Sequence, residues 1–118
     1  MALTNLLVAN RGEIALRILR AAADLGLKGG ASHGEDDAGA LHAIRADAAL
    51  SLRGRGAAAY LDAEQIVDLA VEAGCDAVHP GYGFLSESAA FARRCQEAGL
   101  VFVGPQPATQ ARLGDKAQ

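Results

Sequence analysis

With 118 residues the chain has room for one domain and not for two. Hydrophobic residues make up 51% of it and the formal net charge is −3, which excludes a disordered chain and leaves no general basic field for nucleic acid or acidic lipid. No apolar run is long enough to span a bilayer and residues 1–10 lack the basic start of a signal peptide, so a cytoplasmic protein is expected.

Leu6-Leu7-Val8-Ala9 reads as a strand buried on both faces. Asn10-Arg11-Gly12 follows as a turn, and Glu13 favours the dipole of the helix it opens. Ile14, Ile18, Ala21 and Leu25 recur at helical spacing as the expected inward stripe, with Arg17, Arg20 and Asp24 opposite and Gly26 as the stop. Residues 28–33 are expected as a second strand, although Gly29-Gly30-Ala31-Ser32 is poor strand sequence. A short helix over 40–46, a third strand over 48–52 and a loop over 53–59 come next.

Asp62 caps a helix, with Gln65 in the capping-box position; Ile66, Val67 and Ala70 face inward and Glu64, Asp68 and Glu72 outward. After Gly74, Ala77-Val78-His79 is a fourth strand and Pro80-Gly81-Tyr82-Gly83-Phe84-Leu85 its loop. Ser86 or Ser88 caps a helix whose inward positions are Phe91, Ala92, Cys95 and Ala98. Residues 100–103 make a fifth strand, broken by Gly104-Pro105, and a last short helix runs toward Leu113. Alternating strands and helices with long crossovers predict a Rossmann-like open, mostly parallel five-stranded sheet with helices on both faces. Ligands of such sheets gather at the carboxyl ends of the strands, which directs attention to three turns.

The first turn has one glycine where a dinucleotide fingerprint needs three, so NAD binding is not expected. Arg11 is read as an anchor of its own loop rather than as an anion ligand. His33-Gly34-Glu35-Asp36-Asp37 is read as an acidic surface turn. The third turn is the richest. Its two glycines flank an aromatic and let backbone approach a ligand closely. Tyr82 is suited to a planar ring, and a loop whose Tyr and Phe merely plug the sheet edge fits equally well. His79 is read as a loop-bracing histidine and Glu87 as a helix-cap carboxylate. Cys75 and Cys95 form no metal or redox motif and are read as reduced thiols; no metal site is expected.

Asn10-Arg11-Gly12-Glu13-Ile14-Ala15 with Arg17-Ile18-Leu19-Arg20-Ala21 resembles the opening of biotin carboxylases. So does the run from His79 to Glu87 followed by Phe91-Ala92, then Phe102-Val103-Gly104-Pro105 and Gly114-Asp115-Lys116, in the same order. The resemblance covers the whole chain. It implies an N-terminal (pre-ATP-grasp) domain over 1–113 and the start of the ATP-grasp region at 114–118. Family members use ATP, Mg²⁺ and bicarbonate to make carboxyphosphate and then carboxylate the ureido nitrogen of biotin on a carrier.

On matched positions the resemblance implies that Lys116 reaches the nucleotide phosphates. Tyr82 and Gly83 lie beside the biotin ring, and Arg20 and Asp24 belong to a dimer face whose plainer reading is an intrahelical pair. No catalytic residue is expected within the chain, and inactivity in isolation follows. The implied partners are the ATP-grasp and C-terminal domains of the same protein, a biotin carboxyl carrier, a carboxyltransferase and a second copy in a homo-oligomer. The sequence departs from the family pattern at Gly29-Gly30, which puts the pairing of that strand in question, and more mildly at Ser88 and Leu113. Alternative readings are another ATP-grasp ligase of the carbamoyl-phosphate synthase kind and a stand-alone binding module.

Overall fold

The computed structural model describes residues 3–104. The expected helix toward Leu113, the break at Pro105, the 113/114 boundary and Lys116 lie outside the described residues. Five strands form one parallel sheet in the order β3-β2-β1-β4-β5. They are β1 (Asn5–Val8), β2 (Lys28–His33), β3 (Ala48–Ser51), β4 (Ala77–His79) and β5 (Val101–Phe102). The crossovers carry α1 (Gly12–Asp24), α2 (Leu41–Arg45), α3 (Gly56–Ala59), α4 (Ala63–Glu72) and α5 (Ala89–Glu97), with a 3-10 turn at Glu35–Asp37 ahead of α2. The expected Rossmann-like sheet is present, and it is parallel throughout.

The two-residue period of β1 divides the core. Leu7 and Ala9 point into a cluster with Ile66, Val67 and Ala70 of α4, Phe91, Ala92 and Cys95 of α5, and Tyr60. Leu6 and Val8 point the other way, onto Ala15, Leu19 and Ala22 of α1. Helices thus cover both faces. Cys95 lies fully inside, and burial pushes its thiol up to about 11; Cys75 is half-buried and is shifted in the same direction. Among the described residues no helix is long and apolar enough to cross a membrane.

The inward face of α1 differs from the expected one. Ala15, Leu19 and Ala22 are buried, whereas Ile14 and Ile18 are half-buried and Ala21 and Leu25 are exposed. Two apolar stripes run side by side on this helix, offset by one residue and therefore by about 100°. The alanine-rich stripe takes the sheet because it lets the helix come close. Gly26, at φ 79°, ends the helix as expected, with the Leu27 N–H donating to Ala22 O at 2.9 Å.

Close approach also accounts for Gly29. A Cβ there would meet Leu19 Cδ2 at 2.8 Å, so the glycine makes room for α1. Nor is β2 a doubtful edge: it pairs β1 on one side and β3 on the other. A Cβ on Gly30 would find only ordinary contacts, the nearest being Ala48 O at 3.7 Å. Gly30→Ala is therefore expected to stabilise the chain by about 0.5–1 kcal/mol through the unfolded state. Gly29→Ala is expected to destabilise it by about 1 kcal/mol through overpacking. Urea unfolding of the pair checks this, and shifts of the same sign would contradict it.

Two local features were not expected. The loop over 53–59 contains the short helix α3. Gln65 does not complete a capping box: while Asp62 Oδ1 accepts from the Gln65 N–H at 3.2 Å, the Gln65 side chain reaches Asp62 Oδ2 and both backbone groups of Arg53. At the start of α5 the cap is Ser88, whose Oγ accepts from the Phe91 N–H at 3.1 Å.

Candidate functional site

The strand order reverses direction between β1, which continues outward through β2 and β3, and β4, which continues through β5. At such a switch point the loops leaving the carboxyl ends diverge and open a crevice. The two loops here are Asn10-Arg11-Gly12 and the run from Pro80 to Ser88. They are joined by the Ala9 N–H donating to His79 O at 2.9 Å. Asn10 lies almost wholly buried between them, its Nδ2 donating to Pro80 O and Tyr82 O, each at 2.7 Å.

The Pro80–Ser88 loop is tightly wound. Gly81 and Gly83 sit at φ 70° and 69°, a region glycine enters freely, and Phe84 shares it at φ 48°. A non-glycine residue held there stores about 1–3 kcal/mol of strain. What holds Phe84 is packing: its ring lies 5.4 Å from that of Tyr60, at the edge of the larger core. Tyr82 is 77% exposed. The two aromatics therefore divide the two roles that the sequence left open, Phe84 plugging the sheet edge and Tyr82 facing out. Gly83 is exposed, and a Cβ on it would meet nothing within 4 Å, so a ligand has free access to this backbone.

His79 braces the loop, its Nδ1 accepting from the Gly81 N–H at 3.0 Å. Arg11 is the loop anchor expected of it, with Nη2 3.0 Å from Asp37 Oδ1 and the guanidinium 5.8 Å over the Tyr60 ring. Glu87 precedes the cap of α5 and is exposed. On α1, Arg20 and Asp24 are both exposed; among the described residues the ion pair on this helix joins Glu13 and Arg17 at 3.4 Å instead.

Asp37 corrects the reading of an acidic surface turn, for only 8% of it is exposed. The Tyr60 hydroxyl donates to its Oδ2 at 2.8 Å and accepts from the Gly34 N–H at 3.3 Å. Burial and that donated bond push the Tyr60 phenol well above its ordinary range. Glu35 and Asp36 are used structurally too, accepting from the Gly54 and Gly56 N–H groups. No periodicity signals Tyr60 or Asp37; the only hint is a lone aromatic in an alanine-rich loop.

His42 is 1% exposed beside this network, with Nε2 3.3 Å from Ser32 O and, among the described residues, no hydrogen-bond partner for Nδ1. Burial holds both His42 and His79 below the ordinary histidine value of 6.5. The fold thus favours neutral rings, while the unfolded chain takes up protons that the folded one refuses. This part of the stability is complete above about pH 6.5 and is lost as pH falls below it. The urea midpoint is expected to fall from pH 7 to about 5.5, and His42→Gln to flatten that fall. An unchanged wild-type midpoint across this window would contradict it.

A groove of ≈ 550 Å³ leads from this site along α1, lined by Leu3, Ile14, Ile18, Leu25, Leu27 and Val103, with His79 and Tyr82 at the loop end. Its wall is the apolar stripe first expected to face the core.

A doubly covered parallel sheet with a glycine-aromatic loop at its switch point defines a Rossmann-like domain. Residues 2–109 match the family described as biotin carboxylase, N-terminal domain, and the chain belongs to that family. It is 51% identical to mitochondrial pyruvate carboxylase of Rattus norvegicus over an alignment of 115 residues that covers 95% of this chain and 10% of that protein. A solved biotin carboxylase domain of a single-chain bacterial carboxylase superposes with a TM-score of 0.93 at 56% identity, over 97% of this chain and 27% of that one. The biotin carboxylase domain dimer of 2-oxoglutarate carboxylase from Hydrogenobacter thermophilus, solved with MgADP, ADP and bicarbonate, gives 0.94 at 46% identity, over 99% of this chain and 26% of that one. The chain thus spans about a tenth to about a quarter of these relatives.

Proposed function

We propose that these residues work as the N-terminal domain of a biotin carboxylase, in which ATP and bicarbonate serve to carboxylate biotin on a carrier protein. The observation that carries this reading is the family match spanning nearly the whole chain and including the loop at the switch point. In that role Tyr82 forms a wall beside the biotin ring and Gly83 offers its open backbone. Lys116, outside the described residues, supplies a compact positive charge for the nucleotide phosphates.

Among the described residues no group of three or more His, Cys, Asp or Glu is gathered to hold a metal ion. On the family resemblance, the Mg²⁺ of the reaction is assigned to carboxylates of the ATP-grasp region. The apolar groove along α1 supports the reading that further chain of the same protein covers it, since Ile14, Ile18 and Leu25 stand exposed or half-buried along its length. Exposed Arg20 and Asp24 suit the polar part of a dimer face. The remaining partners are a biotin carboxyl carrier and a carboxyltransferase, the latter choosing the final acceptor, and the setting is the cytoplasm.

The test is ATP hydrolysis by the full-length natural protein that carries these residues. Turnover is expected to need bicarbonate and to rise with free biotin, whereas residues 1–118 alone are expected to show neither turnover nor measurable biotin binding. Turnover indifferent to biotin would favour another ATP-grasp ligase.

A further inference from the structure

We propose that Asn10 is a positioning residue for biotin, its buried carboxamide setting the backbone of the loop that carries Tyr82 and Gly83. The inference rests on the carboxylase reading above. Asn10 is 1% exposed, so its side chain touches no ligand itself. Its carboxamide is committed to loop backbone, both N–H groups reaching across to the facing loop and the oxygen holding its own. Nδ2 gives one N–H to Pro80 O and the other to Tyr82 O, each at 2.7 Å, and Oδ1 accepts from the Arg11 N–H at 2.7 Å.

The grip is on the part of the loop that has least to hold it. Tyr82 is 77% exposed, so among the described residues packing of its own ring does little to fix its place; its carbonyl oxygen is held by Asn10. Phe84, two residues on, is kept in a left-handed conformation that a non-glycine residue does not choose for itself. Releasing the Tyr82 carbonyl therefore lets the loop relax away from the observed shape. Gly81 closes the same contact from the other side. A Cβ on it would stand 2.7 Å from Asn10 Nδ2 and 2.8 Å from Ile14 Cγ2, with φ at +70°.

Aspartate is the sharpest replacement. It matches asparagine in size but turns two N–H donors into an oxygen facing two carbonyl oxygens, which repels what it formerly held. The experiment is steady-state kinetics of Asn10→Asp in the full-length natural protein, with free biotin as the probe. The KM for biotin is expected to rise about tenfold, as misplacement of a binding loop does, while the KM for ATP moves less than about twofold. Gly81→Ala, which drives a methyl against the same carboxamide, is expected to act in the same sense, and it carries the test if Asn10→Asp does not accumulate.

A biotin KM within about twofold of wild type, or equal rises for biotin and ATP, would overturn the proposal, the second by marking Asn10 as holding the fold alone. Failure of both variants to accumulate would overturn it on the same ground. A wild-type protein whose ATP hydrolysis ignores biotin would instead sink the carboxylase reading, a result distinct from any of these.

Discussion

Tyr60→Ala is expected to cost about 4 kcal/mol, a large share of the 5–15 kcal/mol that holds a domain of this size together. Tyr60 is fully buried and is the largest side chain in that state. Its ring lies against Phe84 and under Arg11, and its hydroxyl ties Asp37 to the Gly34 backbone. Removing it opens a cavity and takes from Asp37 Oδ2 its hydrogen-bond donor, leaving that nearly buried carboxylate to its ion pair with Arg11. Tyr60→Phe separates the two effects. The ring stays, Asp37 and the Gly34 N–H lose a partner, and the expected cost is about 1–3 kcal/mol. Urea unfolding monitored by circular dichroism measures both. A loss under about 1 kcal/mol for Tyr60→Ala would mean that the two loops are held by something other than this contact.

The second large effect concerns activity without stability. Tyr82→Ala in the full-length protein is expected to lower kcat/KM for biotin about tenfold, near the size of one well-placed ring contact. Because Tyr82 is 77% exposed, the same change is expected to leave the unfolding midpoint of this chain within about 0.5 kcal/mol of wild type. Phe84→Ala, by contrast, is expected to lower the unfolding midpoint, since that ring packs on Tyr60 and the core. If Tyr82→Ala instead unfolded the chain and spared biotin kinetics, the division of roles between the two aromatics would be wrong.

The layout of the sheet was legible because its signals are local. Short apolar runs such as Leu6-Leu7-Val8-Ala9 mark strands covered on both faces, and Gly26 and Gly74 mark helix ends, both at positive φ in the structure. The inward face of α1 was not legible, since Ile14-Ile18-Leu25 and Ala15-Leu19-Ala22 have the same period. The packing of Ala15, Leu19 and Ala22 on Leu6 and Val8, and of Leu19 on Gly29, shows which stripe meets the sheet. Helix α3 escaped because four residues beginning with glycine carry no periodicity.

For the site, the glycine-aromatic composition of Pro80-Gly81-Tyr82-Gly83-Phe84 pointed to the loop that lies at the switch point of the sheet. Which aromatic faces out depended on Tyr60, and what fixes the backbone depended on Asn10. Both lie far from the loop in sequence, so neither is visible in any local pattern. Arg11, Asp37 and Tyr60 show the same thing: three segments contribute one residue each to a single contact centred on the buried Asp37 carboxylate.

The most direct measurement is transfer of carbon from labelled bicarbonate to free biotin by the full-length natural protein in the presence of MgATP. Label in biotin that requires ATP and drops about tenfold in Tyr82→Ala is the expected result. ATP consumed with no label reaching biotin would contradict the assignment of this loop to biotin and of this domain to a working biotin carboxylase.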